Sequence, residues 1–392
     1  MDYKFAFEEQ CIKQIGRKKK APGIDANDVV LVRMDLIGDC TMFTSTAYAI
    51  REYYKDRKMS VICLESSKNV FERMGVFDDV ISINIKPDNV NKEIAIEFLN
   101  IIKHKRADIV LQPQASRYPI SDVICAAISA NHRIAISLKL DNCGEEWKKY
   151  DDVIFDQFIE YPDNIRSEFD YYSIFARGLG IKAYKSCRPR LPVKKQNIVN
   201  GKYFVLFPGG TLSVKFWPAE KYAMIADYIY KKTGYLCVVL GTQSEQWIFD
   251  QIRKNADPRT KMDMLNLMGK TTISDVIDII GGARLVISND TSGIHIACAT
   301  NVPSVALVGG WHYGRFLPYE LEEISSEDNI PLVANKTMSC YGCDWDRNKI
   351  RLINRDCISD LNTGKVCQCI DIISVEKVQG LVDRIIEQNG KE

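Results

Sequence analysis

Short apolar runs alternate with segments of helical period along most of the chain. From Val29, VVLV (29–32) leads into a helix-period stretch from Thr41 to Lys55, and SVICL (60–64) into a helix near Asn69 to Met74. A run near Val80 precedes a helical stretch near Lys92 to Lys103, and DIVLQ (108–112) follows. ICAAISA (124–130) reads as helix and HRIAIS (132–137) as strand. Such runs of four to six residues between helices predict parallel strands covered on both faces. At 188–202, RPRLPVKKQNIVNGK, the pattern breaks into prolines, bases and turn formers, the composition of a linker.

The alternation then restarts. YFVLF (203–207) is followed by a helix from Pro218 to Lys232, and LCVVL (236–240) by one from Ser244 to Lys254. MLNLMG (264–269), a helix from Ser274 to Gly281, LVIS (285–288), a helix from Gly293 to Ala299 and SVALVG (304–309) complete it. Two doubly wound α/β domains are predicted, with ligands at the carboxyl ends of strands and the default site in a cleft between the domains.

At 392 residues the chain exceeds what one core usually holds, which agrees with two domains. Lys+Arg is 52 against Asp+Glu 51, so no basic excess points to nucleic acid. The longest apolar runs, such as Val123 to Ala130, fall short of a membrane span. The start, MDYKFAFEEQ, lacks the apolar region of a signal peptide. A cytoplasmic protein is expected, peripheral at most to the inner face of the membrane. Residues 1–28 fit neither domain. Phe7, Cys11 and Ile15 share a helical face followed by Arg17-Lys18-Lys19-Lys20, which suits packing onto the body or docking on a membrane surface.

Three strand-to-helix joints carry chemistry. In VVLVRMDLIGDCTMF, Gly38 permits a tight turn and Asp39 lies at the mouth of the sheet. Asp39 is either an N-cap or a carboxylate able to take a proton from a bound hydroxyl. In FPGGTLSVKFWP, Gly209, Gly210 and Thr211 form a loop whose N–H groups could line an anion site, with Lys215 four residues on. The alternative is a plain turn with a solvated lysine and a packing Trp217. The Walker spacing is missing. In VISNDTSGIHIACA, the polar run ends with Asp290, Thr291, Ser292 and Gly293. Its helix N-terminus carries roughly half a positive charge, which suits a diphosphate. Asn289 and Asp290 could instead simply cap the helix.

These joints, in this order, resemble glycosyltransferase family nine, the ADP-heptose heptosyltransferases of bacterial envelopes. RMDLIGDCTMFTSTAYAIRE is similar to the family's Arg-x-Asp-x-Ile-Gly-Asp entry, and FPGGTLSVKFWPAEKY to its Pro-Gly-Ala…Lys-x-Trp-Pro segment. The nucleotide half is similar from Gly269-Lys270-Thr271 through Ser288-Asn289-Asp290-Thr291…His295. The resemblance implies a GT-B fold, two Rossmann-like domains facing a cleft, and an inverting transfer without a catalytic divalent cation. Asp39 would be the base and Lys215 the charge-balancing group at the leaving diphosphate. Gly38, Gly209, Gly210, Thr211, Asp290, Thr291, Ser292, Gly293 and His295 fall in donor-binding segments, and Gln243, Lys270 and Thr271 near base and ribose. Two departures stand out. Ser292 precedes Gly293 where the family has Asp-Thr-Gly, and Gln243 replaces an acid.

Thirteen cysteines include five within thirty residues: Cys340, Cys343, Cys357, Cys367 and Cys369. A CxxC with two further cysteines suits a structural tetrathiolate site for Zn or Fe; reduced thiols in a loop are the alternative. By resemblance to the branch that glycosylates autotransporter proteins, where four cysteines bind iron and the enzyme forms large oligomers, the expected ligands are Cys340, Cys343, Cys357 and Cys369, with Cys367 to spare.

The expected organisation is an N-terminal extension (1–28), an acceptor-side domain (29–190) and a linker (191–202). A nucleotide-sugar domain (203–335) and a cysteine-rich tail with a C-terminal helix (336–392) follow. The expected activity moves a heptose from ADP-heptose to a hydroxyl on a glycan, a lipid-linked glycan or a protein. Another nucleotide sugar, or a non-catalytic nucleotide-sugar scaffold on the same fold, is the alternative.

Overall fold

The computed structural model describes residues 6–15, 27–212, 215–344, 357 and 365–389. The chain divides into two units, residues 1–165 with 169–186, and residues 166–168 with 187–392.

In unit one, α1 (Ala6–Ile15) precedes β1 (Val29–Arg33), α2 (Ile37–Met42), α3 (Thr44–Tyr53), β2 (Met59–Leu64), α4 (Lys68–Met74) and β3 (Asp79–Ile83). Then come α5 (Lys92–Ile102), β4 (Arg106–Gln112), α6 (Pro119–Ala127), β5 (Ser129–Ile136), α7 (Glu145–Ile154), β6 (Gln157–Ile159) and α8 (Glu168–Gly178). The sheet runs β3-β2-β1-β4-β5-β6, every pair parallel. β1 is buried along its whole length, and for that reason it is continuously apolar rather than alternating. It pairs with β2 from Val29 opposite Met59 and with β4 from Val29 opposite Ile109. Strand order reverses between β1 and β4, so the loops after them flank the natural crevice.

Local chemistry sets several boundaries. Asn91 caps α5 by accepting from the amides of Glu93 and Ile94. Pro119 sits at the first position of α6, where its missing N–H costs nothing. The stretch 124–130, read as helix, leaves the helix after Ala127, because Ser129 and Ala130 pair with Arg106 and Ala107 of β4. Sheet pairing overrides local period there. α1 packs against α6, with Phe7 and Ile12 in the core and Cys11 only half-buried. Of the expected face 7, 11 and 15, Phe7 is buried and Cys11 is not, while Ile12 joins the core.

Unit two contains β7 (Tyr203–Phe207), α9 (Ala219–Thr233), β8 (Leu236–Val239), α10 (Gln246–Asn255), α11 (Pro258–Met262) and β9 (Met264–Asn266). α12 (Ile273–Gly281), β10 (Val286–Asn289), α13 (Ser292–Ala299), β11 (Ser304–Leu307), β12 (Leu332–Ala334), α14 (Gln368–Asp371) and α15 (Val375–Asn389) complete it. Its parallel sheet runs β12-β11-β10-β7-β8-β9, the same winding as in unit one, with the reversal between β7 and β10. The expected α/β architecture of two doubly wound sheets is observed.

The segment joining the units is fastened to unit two. Arg188 pairs with Asp328 at 2.6 Å and donates to the Cys298 carbonyl at 2.9 Å. The Leu191 amide donates to Ala299 O, and the Lys194 amide to Asp278. The cysteine-rich tail is likewise not an appendage. Cys343, Cys357, Cys367 and Cys369 share one hydrophobic core with β7, α9 and Val378, Val382 and Ile385 of α15. Among the described residues, no helix is long and apolar enough to cross a membrane.

Candidate active site

In unit one, Asp39 lies in the first turn of α2, three residues beyond the N-cap Leu36, so it is not the cap itself. It is half-buried. A fixed polar frame sits beneath it. Arg33, 2 % exposed, pairs with Asp35 at 2.7 Å, donates to the Tyr172 hydroxyl at 3.0 Å and lies over the Phe43 ring. Gln114, on the loop after β4, accepts from the Met34 amide at 2.8 Å and donates to the Asp35 carboxylate. Ser67 donates to the Asp35 carbonyl. Loops from β1, β2 and β4 thus lock the joint that carries Gly38 and Asp39. Tyr118, at the start of α6, also reaches this mouth. Burial raises its phenol pKa, and the Asp88, Asp35 and Asp39 carboxylates raise it further.

In unit two the second and third joints meet where the strand order reverses. The fully buried Asn289 braces them together. Its amide donates to the Pro208 carbonyl, and its oxygen accepts from the Tyr222 hydroxyl at 3.0 Å and the Trp217 amide at 3.3 Å. Asn289 therefore does not cap α13. Thr291 occupies the N-cap position with no side-chain cap hydrogen bond, so the helix begins without side-chain capping beside Asp290. Gly293 has a packing reason as well: a β-carbon there would lie 2.4 Å from Cγ of Phe207.

Asp290 is 9 % exposed. Burial raises its pKa, while the Lys215 charge and the nearby Trp311 indole pull it back down. The Lys215 ammonium stands 5.1 Å from the centre of the Trp311 ring. His295, one turn into α13, hydrogen-bonds the Tyr319 hydroxyl at 2.7 Å through Nδ1 and lies 3.9 Å from Asp290 through Nε2. Burial pushes its pKa down to about 3, so the ring is neutral and acts as a wall behind Asp290.

The Gly209-Gly210 loop differs from the expected anion cradle. The Gly210 amide already donates to Glu245 Oε1 at 2.6 Å, while Glu245 Oε2 accepts from the Thr242 amide at 2.6 Å. A carboxylate seated in that loop repels phosphate and favours hydroxyls. Thr211 is exposed beside the loop. Gln243 packs directly on Gly269, where a β-carbon would lie 2.8 Å from Cα of Gln243. Lys270 and Thr271 follow in the same turn, with the Lys270 ammonium on the Asn266 carbonyl at 3.0 Å. The structure so gathers Gln243, Lys270 and Thr271 at the ends of β8 and β9. Gln114, Tyr118, Glu245 and Trp311 were not singled out in the sequence. Glu245 and Trp311 each follow a strand and a glycine turn (GTQSE, VGGW), which is the only local signal they give.

The five tail cysteines are all buried free thiols. Cys367, expected as the spare, lies between Cys357 and Cys369 in hydrogen-bonding contact with both, which drives its pKa up. Hydrogen bonds from Cys367 and the Gly310 amide hold the Cys369 thiol below the ordinary range. An all-thiol donor set is chemically suited to iron or zinc. Among the described residues, no group of three or more His, Cys, Asp or Glu side chains stands arranged to hold a metal ion.

Residues 176–341 match the model of glycosyltransferase family 9 (heptosyltransferase). The chain is 35% identical over 97 residues to lipooligosaccharide heptosyltransferase 2 of Haemophilus ducreyi, a match covering 24% of this chain and 28% of that relative. At that level of identity the chain therefore spans little more than a quarter of the relative's length. The fold is similar to that of E. coli ADP-heptose LPS heptosyltransferase II, with a TM-score of 0.68, 16% identity, and coverage of 93% of this chain and 99% of that one. It is also similar to TibC of enterotoxigenic E. coli, a dodecameric iron-containing heptosyltransferase solved with ADP-D-β-D-heptose. The TM-score there is 0.53 at 12% identity, covering 93% of this chain and 77% of TibC. The matched segment contains β7 to β12 with Lys215, Asp290 and the α13 N-terminus, so the similarity to glycosyltransferase family 9 falls on unit two and its strand reversal.

Proposed function

We propose that the protein is an inverting glycosyltransferase that moves a heptose from an ADP-activated donor to a hydroxyl acceptor. The observation that carries this reading is Lys215, held over the Trp311 ring and near enough to buried Asp290 to lower its pKa, beside the start of α13 at the strand reversal of unit two. An ammonium and a helix N-terminus supply the positive potential that a leaving diphosphate needs. Buried Asp290 and Glu245 suit sugar or ribose hydroxyls, as each is an acceptor held in place by the fold. Gln243, Lys270 and Thr271 lie where the base and ribose would extend.

The transfer forms one bond and breaks one. Asp39 takes the proton of the acceptor hydroxyl, the acceptor oxygen attacks the anomeric carbon, and the bond from that carbon to the diphosphate oxygen breaks with its electron pair going to ADP. Lys215 offsets the charge that grows on the departing oxygen, so no divalent cation is needed at the diphosphate. Arg33, Asp35 and Gln114 hold the Asp39 turn in place.

We also propose, from the all-thiol donor set alone, a structural iron or zinc held by four of the five thiols, Cys340, Cys343, Cys357 and Cys369. Four sulfur ligands leave no open coordination position, so the ion would fix the tail. The acceptor is a hydroxyl on a glycan, a lipid-linked glycan or a protein.

Thermal unfolding with ADP, UDP, GDP and CDP in the presence of EDTA tests the donor. ADP at one hundred times its dissociation constant should stabilise the fold by about 2.7 kcal/mol. Stabilisation by UDP or GDP alone would move the donor, and stabilisation by none of the four would sink the reading.

A further inference from the structure

The cysteine cluster and the Lys215–Asp290 pair share one short segment of chain, Val308 to Trp311. On one side, the Gly310 amide hydrogen-bonds the Cys369 sulfur. The Gly342 amide of the Cys340–Cys343 loop donates to the Gly310 carbonyl at 2.6 Å, and the Asp344 amide to the Trp311 carbonyl at 2.8 Å. On the other side, the Trp311 ring lies under the Lys215 ammonium at 5.1 Å and its indole meets Asp290. The two glycines make this seat possible. A β-carbon at Gly309 would lie 1.9 Å from the Trp311 ring, and one at Gly310 would lie 2.9 Å from the Tyr341 ring and 3.2 Å from its Cα. Trp311 itself is 1 % exposed.

We propose that Trp311 is a positioning residue for Lys215 and Asp290, and that the cysteine cluster sets its place through Gly310. The proposal rests on the assignment of Lys215 and Asp290 to the donor diphosphate. In physical terms, a ring face fixes a flexible ammonium where a single carboxylate would leave it several rotamers. The ring is held by backbone hydrogen bonds from the cysteine loop, not by its own helix or strand. Disturbing the sulfur cluster therefore moves the segment that both centres share.

The test is a double-mutant cycle on the full chain, read as the dissociation constant of ADP by calorimetry. Trp311→Leu and Lys215→Met should each weaken ADP about tenfold, the order expected of a half-buried cation–π contact, and the double variant no more than Lys215→Met alone. Trp311→Tyr, which retains a ring face, should recover most of the loss. Multiplying effects in the double variant would overturn the proposal while leaving the donor site intact. Absence of ADP binding by the wild-type chain would instead sink the donor assignment.

A ligand-free arm decides the coupling in either event. Lysines are methylated with 13C, and the Lys215 resonance is identified by its loss in Lys215→Arg. The ring current of Trp311 should shift that resonance, Trp311→Leu should abolish the shift, and Cys369→Ser should change it. Gly310→Ala, which presses on Tyr341, disturbs the same segment should the cysteine variant fail to fold. A Lys215 resonance indifferent to these changes rejects the coupling.

Discussion

The two units wind their sheets in the same order, yet they treat charge at the strand reversal in opposite ways. In unit one, charges are met by charges: Arg33 by Asp35, and Arg117 by Asp122 and Asp151. In unit two, polar side chains are met largely by backbone: Asn289 by Pro208 O and Trp217 N, and Glu245 by the amides of Gly210 and Thr242. Ion pairing makes a rigid plinth on which one more carboxylate, Asp39, can be presented half-exposed. Backbone pairing shapes concave loops for a ligand that brings its own charges. The scaffold is common to both, and function follows from what neutralises each loop.

The sharpest way to break this comparison is Asp39→Asn. Transfer should fall about a thousandfold, within the range for loss of a positioned base, while ADP binding in unit two stays within about twofold. Initial rates with ADP-heptose alongside calorimetry check it. Retained transfer would remove Asp39 from the chemistry, and parallel loss of ADP binding would show that the plinth and the donor site are not separate.

The plinth itself is probed by Arg117→Met. Arg117 is fully buried, pairs with Asp122 at 2.7 Å and Asp151 at 3.2 Å, and donates to the Gln114 and Ile136 carbonyls. Removing it strands two carboxylates, and breaking a buried pair in this way costs about 3–5 kcal/mol. Urea unfolding should show that loss. A loss under about 1 kcal/mol would mean that water or neighbouring donors can serve the carboxylates, and that unit one does not depend on charge pairing.

How far was this legible in the sequence? Both sheets were, because continuously buried strands such as VVLVR read as apolar whatever their neighbours. The segment from α7 to α8 was not. EEWKKYDDVI buries only Trp147, Tyr150, Asp151 and Ile154, so its core face is a minority of its residues. β12 was missed because three residues carry no period. Among candidate site residues, Asp39, Lys215 and Asp290 were marked by lying at strand-to-helix joints and, through those joints, by a resemblance to family motifs. Gln114, Glu245 and Trp311 act across the fold, on Asp35, Gly210 and Lys215, and no local pattern encodes such partnerships. Asn289 was seen as a candidate cap, and only the fold shows that its partners lie more than sixty residues away. The cysteine tail was legible as a cluster, but its place in the core of unit two was not.

Lys215→Met sharpens the other side of the comparison with a smaller effect. Loss of an electrostatic contact at the leaving group should lower turnover about a hundredfold, and unfolding in urea should be unchanged within about 0.5 kcal/mol, since the lysine is a half-exposed side chain on a loop. Equal loss of stability and turnover would make Lys215 part of the scaffold rather than of the donor site.

The smallest expected effect is a slope with pH. One guanidinium in unit one faces two buried carboxylates, and burial leaves Asp151 with a pKa raised from 3.8 to about 6 despite Arg117, with Asp122 adding to the rise. A carboxyl that holds its proton more tightly when folded favours the native state at low pH. Its contribution is present below about pH 4, falls as pH rises through the window from 4 to 6, and adds no slope above it. The whole effect is of order 1–3 kcal/mol. Comparing urea unfolding of the wild type with Asp151→Asn across that window isolates it from other titrating groups. The stability of the wild type relative to the variant should decline from pH 4 to 6. A difference that grows with pH would mean that Arg117 depresses the Asp151 pKa instead, and that this plinth is a simple ion pair with charge to match.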